Sequence, residues 1–357
     1  MRVYNFAAGP STLPLEVLER AKAEFLDFAG TGMSVTEISH RDKAYEQVVK
    51  GAEALVRELL GVPDDYAVIF VQGGASTQFA AVPLNLMHSG SADYIVTGNF
   101  AKKAWQEGQI YGAAHKIGDS SDKKYAYIPD LNALNYTEGA DYVHITSNNT
   151  IFGSRYAEFP KCAAPLVADM SSEIFSRRIN VADFGVIYAG AQKNLAPAGV
   201  TIVIAKRSLI GEPLKICPTM LKWKVQDENG SLYNTPPAFS IYMAWLVLEN
   251  LKAKGGVKAM EEVNNYKAQL LYDFIDNSKL YKNNVERSYR SVMNVPFVTD
   301  SEELDAKFIA EAKKAGLVSL KGHRIVGGMR ASIYNAMPVD GVKALIEFMK
   351  KFESENA

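Results

Sequence analysis

The chain has 357 residues, 48% hydrophobic and 22% charged, and its 39 Lys and Arg against 40 Asp and Glu leave a net charge of −1. That composition excludes a disordered chain, which could not bury enough apolar surface to offset the entropy of ordering, and the charge balance gives no reason to expect nucleic acid or a membrane as a partner. No apolar run approaches the roughly 18 residues of a membrane span, Pro10 and Pro14 interrupt the N-terminus where an export signal needs an apolar helix, and Cys162 and Cys217 fit neither a CxxC nor a Cys/His metal spacing, so a cytoplasmic protein without a metal centre is expected.

At about 150 residues per domain, the length predicts two domains, or one with an appendage. The first helix is predicted over 14–28, where Leu18, Ala21, Phe25 and Phe28 recur at three- and four-residue steps and Pro14 suits the first turn. A second covers 43–60, with Val48, Leu55 and Leu59 on one face and Gly61 as its stop. The period then changes. Residues 67–71 form a short, wholly apolar run ending at Gly73-Gly74, the pattern of a buried parallel strand entering a tight turn. Similar runs occur at 94–96, 142–145, 166–168, 186–188 and 200–205, with helices predicted over 76–88 and 100–111. Strands alternating with helices imply an α/β domain with a mostly parallel sheet. A long helix over 239–253 ends at Gly255-Gly256. Beyond it, helices over 258–277, 303–315 and 339–352 mix with strands over 292–298 and 327–334, an α+β texture that sets a domain boundary near residue 255. The last residues, 353–357, are expected to fray.

The segment 186–199, VIYAGAQKNLAPAG, carries the strongest chemical signal. An apolar strand leads into Gly190, Ala191 and Gln192, then into Lys193 flanked by small residues. A lysine at such a strand end lies close to backbone and is partly desolvated, which lowers its pKa and makes the amine a better nucleophile for a carbonyl. Taken alone, it also reads as a surface lysine in a loop. Upstream, Asp169 ends the apolar run at 166–168 and two serines follow. A carboxylate at a strand's carboxyl end stands where α/β sheets place ligands, and it suits a protonated ring nitrogen. Alone, it reads as a cap of the next turn. Farther upstream, VQGGASTQ at 71–78 sets free amides and a hydroxyl at a helix start, an anion site. The Walker lysine and the three-glycine dinucleotide spacing are absent, so one phosphate monoester fits better than a pyrophosphate. Phosphate turn, strand-end aspartate and lysine together match what pyridoxal 5′-phosphate requires.

Over essentially its whole length the chain resembles the phosphoserine aminotransferases, class V members of the fold-type I pyridoxal phosphate enzymes. The segments that carry the resemblance are NFAAGPSTLP (5–14), SHR (39–41), GGASTQF (73–79), Asn149-Thr150, DMSSEIFSRRI (169–179), GVIYAGAQKNLAPAG (185–199), YNTPP (233–237) and KGHRIVGGMRASIYNAMP (321–338). It implies a two-domain α/β homodimer, with 16–254 as a large cofactor-binding domain and 1–15 joined to 255–357 as a small α+β domain. Lys193 is implied to hold the cofactor and Asp169 to partner its ring nitrogen, with Gln192 and Thr150 in contact. Ala75 and Ser76 fall where the family binds the cofactor phosphate, and Asn234 and Thr235 match a pair that reaches it from the neighbouring subunit. Phe100 falls where the family stacks a tryptophan on the ring, Trp105 being the alternative.

Arg41 and Arg330 match the family's arginines for substrate anions, and His40, His323 and Arg324 lie in matching motifs. A guanidinium fork binds a carboxylate bidentately. Surface salt bridging for the arginines and a polar strand-edge role for His323 stay open. In one departure, Ser76 stands where many members have an arginine for the substrate phosphate, so one cation is lost opposite a group carrying close to two charges. The implied reaction, in serine biosynthesis, converts 3-phosphohydroxypyruvate and L-glutamate to O-phospho-L-serine and 2-oxoglutarate. Use of the phosphorylated four-carbon oxoacid of pyridoxine biosynthesis stays open. An alanine–glyoxylate aminotransferase and a cysteine desulfurase are the alternatives, and the latter needs a mobile catalytic cysteine that neither cysteine context suggests.

Overall fold

A computed structural model describes residues 2–356, so residues 1 and 357, at the ends of the expected small-domain segments, lie outside the described residues. In chain order, strand β1 (Tyr4–Asn5) precedes helix α1 (Leu15–Ala23) and helix α2 (Lys43–Leu60). The α2 boundaries follow from local chemistry. The Asp42 carboxylate caps the start by accepting from the Ala44 N–H at 2.8 Å, and Gly61, at φ 63°, ends the helix by donating to the Arg57 carbonyl. Then come β2 (Tyr66–Val71), α3 (Gly74–Leu86), β3 (Ser91–Val96), α4 (Asn99–Gly108), β4 (Ala113–Asp119), β5 (Val143–Thr146), β6 (Leu166–Asp169), β7 (Val186–Gly190) and β8 (Thr201–Lys206).

These strands form one seven-stranded sheet in the order β2-β8-β7-β6-β5-β3-β4. Strand β8 runs antiparallel to both neighbours, and every other pairing is parallel. Six strands therefore point the same way and end at one edge. Alternate residues of the strands face opposite layers. Val68, Phe70, Ile145, Ala168, Ile187 and Ile204 pack under α1, α2 and helix α6 (Ala238–Ala253), which follows the short α5 (Trp223–Glu228). Ala67, Ile69, Tyr94, Val167, Tyr188 and Val203 pack under α3, α4 and Trp223. This is the mostly parallel α/β architecture expected of a fold-type I enzyme.

A second apolar core lies in the chain's last hundred residues, in helix α7 (Gly256–Asn277), β9 (Asn294–Phe297), α8 (Glu302–Lys314), β10 (Leu317–Val318), β11 (Met329–Ser332) and α9 (Val339–Asn356). Phe308 is its centre, edge-on to Tyr281, Phe297 and Phe352 at 5.1–5.7 Å. The N-terminal segment joins this core: β1 pairs in parallel with β10, and Phe6 is fully buried there. Helix α7 spans both cores, with Val257 in the first and Ala268, Leu271 and Ile275 in the second.

Three local expectations are corrected. Helix α1 stops at Ala23 instead of running to residue 28. Leu26 is 81% exposed, and Asp27 turns the chain by accepting from the Gly32 N–H, so the apolar spacing there was fortuitous. The C-terminal residues 353–356 are helical, because the Asn356 amide donates to the Phe352 carbonyl and accepts from Lys307. Strand β4 escaped notice because an edge strand with a half-solvated sequence, AAHKIGD, has no apolar run.

One buried charge ties the cores to the site. Lys267 of α7 has no solvent exposure and donates from Nζ to the carbonyls of Ile333, Tyr334 and Met337 at 2.8–3.0 Å, fixing the turn after β11. Lys267→Met keeps the length but removes all three donors. The variant is expected to lose about 2–4 kcal/mol of stability, read as a lower urea midpoint, because buried carbonyls are left unpaired. An unchanged midpoint would show that these bonds contribute nothing net.

Candidate active site

The carboxyl ends of five co-oriented strands deliver the side chains. The β2–α3 turn brings Gly73 to Ser76, β3–α4 brings Phe100, the segment after β5 brings Thr150, β6 ends in Asp169, and the loop after β7 carries Gln192 and Lys193. Ligands of α/β sheets bind at this edge because loops and helix N-termini converge there. The Lys193 loop is short and pinned, since the Ala191 N–H donates to the Val200 carbonyl at 3.0 Å as the chain turns back into β8.

Lys193 Nζ donates to Thr150 Oγ1 at 2.8 Å and lies 4.7 Å from the centroid of the Phe100 ring. Its surroundings push the ammonium down to about 8, chiefly through burial, with the Arg330 charge adding to that and the Asp169 carboxylate opposing it. Asp169 is only 4% exposed. Both of its hydrogen bonds fall on Oδ1, from the Ser171 N–H at 2.9 Å and the Ser171 hydroxyl at 2.6 Å. Burial raises its pKa, and Lys193 and Ser171 hold it back. The Ser171 hydroxyl also accepts from the Gly190 N–H at 3.0 Å, locking the ends of β6 and β7 together.

The N-terminal segment covers the lysine. The Ser11 N–H donates to the Gln192 carbonyl at 3.0 Å, and the Ser11 hydroxyl donates to the Lys193 carbonyl. Gly9, at φ 146°, crosses so near that a Cβ would lie 3.1 Å from Lys193 Cγ, which accounts for a glycine in this segment.

Around this centre stands a group of cations. Arg330 of β11 donates from Nη1 to the Thr150 carbonyl at 3.3 Å. His323 is partly buried, and its pKa is lowered by burial and by the charges of Arg330, Arg324 and Lys103. Among the described residues, Lys103, Lys193, Arg324 and Arg330 take part in no salt bridge. Trp105 is turned elsewhere: its indole N–H donates to the Ala114 carbonyl at 2.9 Å, so the ring facing Lys193 is that of Phe100.

Four expected residues form no hydrogen bond or ion pair with Lys193 among the described residues. His40 and Arg41 precede α2, where Arg41 is exposed and His40 Nε2 is buried without a partner. Asn234 and Thr235 are exposed, the carbonyl of Thr235 accepting from Gln72 Nε2 at 3.0 Å. Sequence reasoning missed Ser171 and Lys103. The i, i+2 spacing from Asp169 could have flagged Ser171 as its donor. For Lys103, the signal was its place one helical turn after Phe100.

These residues fit pyridoxal phosphate, the cofactor of the class V aminotransferases. The N-terminus of α3 leaves the Ala75 and Ser76 amides free of backbone partners among the described residues, an anion site. A Cβ on Gly190 would come within 2.8 Å of Gln192 Oε1 and 3.4 Å of the Ala75 nitrogen, so the absence of a side chain opens that space. Asp169 has Oδ2 unused by the protein, Phe100 offers a ring face, and Lys193 offers an amine of lowered basicity. Cys162, held up at about 11 by burial, and Cys217, raised likewise, stay thiols near neutrality and supply no ready nucleophile.

Comparison with known proteins agrees. The family model for class V aminotransferases matches residues 3–345. A phosphoserine aminotransferase of Bacillus cereus is 56% identical over 357 residues, 99% of each chain. The phosphoserine aminotransferase structure from Bacillus circulans subsp. alkalophilus superposes with a TM-score of 0.98 at 47% identity, covering 100% of this chain and 99% of that one. The pyridoxal phosphate-bound phosphoserine aminotransferase from Trichomonas vaginalis superposes with a TM-score of 0.94 at 38% identity, covering 98% and 100%.

Borohydride treatment of the enzyme carrying its cofactor is expected to label Lys193 alone in a peptide map, and Lys193→Ala to lose the label while its circular dichroism is unchanged. Label on another lysine would sink the assignment. Capture of pyridoxal phosphate by cofactor-free protein should accelerate as pH rises through about 8, since only the neutral amine attacks a carbonyl. Stopped-flow absorbance follows it, and a rate flat across that pH would contradict the shifted lysine.

Proposed function

We propose, for a chain that belongs to the phosphoserine aminotransferases within the class V aminotransferase family, amino transfer from L-glutamate to 3-phosphohydroxypyruvate, giving 2-oxoglutarate and O-phospho-L-serine. The observation that carries this reading is the unneutralised cation group beside the Lys193–Asp169 pair. Both substrates carry two anionic groups, and only one carries a phosphate.

Pyridoxal phosphate, when bound, supplies an electron sink for the charge left as a substrate Cα loses its proton. The protein's residues do the rest. Asp169 keeps a ring nitrogen protonated by charge and hydrogen bonding. Lys193, with its amine free, would take the Cα proton and deliver it to the carbon on the far side of the substrate nitrogen. Thr150 holds Lys193 Nζ in place, and Phe100 shields one face from water. Arg330 orients the α-carboxylate as a guanidinium fork. His323 and Arg324, with His40 and Arg41, receive the distal anion. One keto acid leaves before the other enters, so double-displacement kinetics are expected.

A homodimer follows from the same reading. The exposed Asn234 and Thr235 are free to reach a partner's cofactor phosphate, which supports an active site shared between subunits. Residues 16–254 then bind the cofactor, and 1–15 with 255–357 supply Arg330 and cover Lys193, a division supported by the two cores. A cytoplasmic setting agrees with the two free cysteines, and no described helix is long and apolar enough to cross a membrane. The phosphorylated four-carbon oxoacid of pyridoxine biosynthesis carries the same two anionic ends and is proposed as a second substrate.

The test is a coupled assay with glutamate and each phosphorylated keto acid in turn. Turnover with 3-phosphohydroxypyruvate supports the reading, and its absence with turnover of glyoxylate would replace it. Asp169→Asn is expected to keep cofactor but lose about 30- to 1000-fold in rate, as about 2–4 kcal/mol of charge-assisted bonding disappears; near-normal turnover would refute the role. His323→Ala should raise the Michaelis constant for the phosphorylated keto acid much more than that for glutamate, and equal effects would make His323 structural.

A further inference from the structure

Phe100 has a lysine on each approach. Lys193 Nζ lies 4.7 Å and Lys103 Nζ 6.0 Å from the centroid of its ring. The two ammonium groups are thus no farther apart than those distances laid end to end. Lys103 is exposed and forms no salt bridge among the described residues, whereas Lys116, on the next strand, is paired with Asp119. The charge of Lys103, with those of Arg324 and Arg330, is felt at His323, whose pKa burial and these three cations lower. Four groups that can carry positive charge, forming no salt bridge among the described residues, are at lower energy when an anion enters.

We propose that Lys103 is a further substrate-binding residue, which receives the phosphate of the keto acid at the mouth of the site and distinguishes that dianion from the single carboxylate at the far end of glutamate. The inference rests on the proposed amino-transfer reaction. In a three-carbon phosphorylated keto acid the phosphorus is three bonds from the reacting carbon, so its oxygens reach about 5 Å outward from the Lys193 amine's target. That reach covers about half of the greatest separation that the two ring distances allow between the amines, and a lysine stem is long and flexible enough to close the remaining gap. Position 76, at the start of α3, carries an uncharged serine, so the charge opposite the phosphate has to come from elsewhere.

Michaelis constants for both substrates are measured in the holoenzyme and in Lys103→Met, Lys103→Glu and Lys103→Arg. Lys103→Met is expected to raise the constant for 3-phosphohydroxypyruvate about three- to tenfold, with kcat unchanged. The constant for glutamate should rise by about the square root of that factor, one charge against two. Lys103→Glu should exceed Lys103→Met, Lys103→Arg should restore the wild-type value, and added salt should shrink every difference. As a readout apart from turnover, inorganic phosphate titrated against cofactor absorbance should bind more weakly to Lys103→Met. An inactive wild type overturns the functional reading and this inference with it. An active wild type, with Lys103→Met unchanged or shifted equally for both substrates, overturns this inference alone.

Discussion

The amine of Lys193 feels two opposed charges, the carboxylate of Asp169 and the guanidinium of Arg330, at a partly buried position. Burial outweighs the carboxylate, and the amine titrates near 8. Relative to a lysine in water, that raises its neutral fraction near neutrality by about two hundredfold. The rest of the molecule serves this condition. Thr150 fixes the nitrogen, the 5–14 segment covers the stem, and Ser171 holds the aspartate within range without competing for both of its oxygens.

Such placement requires strands that end together. Six parallel strands present their carboxyl ends along one edge, so residues far apart in sequence, from Gly73 to Lys193, meet at that edge. The single reversed strand, β8, has its own effect. It makes the lysine loop a short return between adjacent antiparallel strands, closed by the Ala191–Val200 hydrogen bond, and so removes freedom from the residue that must be placed most accurately.

Much of this was legible in the sequence, for identifiable reasons. Buried parallel strands read as apolar runs because both faces are covered, and α2 read correctly because Asp42 and Gly61 mark its ends chemically. Asp169 and Lys193 stood out only together with the glycine turn at 73–76, since each alone reads as a turn cap or a loop lysine. Strand β4 was hidden because one side of it meets water, and α1 was overextended because Phe25 and Phe28 kept helical spacing beyond the helix. Lys103 reads like its neighbour Lys102, since both are exposed and only the helical phase set by Phe100 tells them apart. His40, Arg41, Asn234 and Thr235 could be linked to the chemistry by resemblance alone, since within one chain nothing brings them to Lys193.

The covering segment has a consequence for how the chain is made. Tyr4 pairs with Leu317, Phe6 is buried among residues beyond 267, and Ser11 bonds to Lys193. Residues 4–6 therefore leave a ribosome long before the strand and core they dock against, which are translated about three hundred residues later. The central sheet, complete in sequence by Lys206, can form while the N-terminus hangs free. The contacts that anchor the covering segment beyond Lys193 span more than three hundred residues, the kind of long-range pairing that closes slowly. Synthesis thus leaves the amine open to small aldehydes until the second core assembles, and the same late step that buries it also carries Arg330 into place.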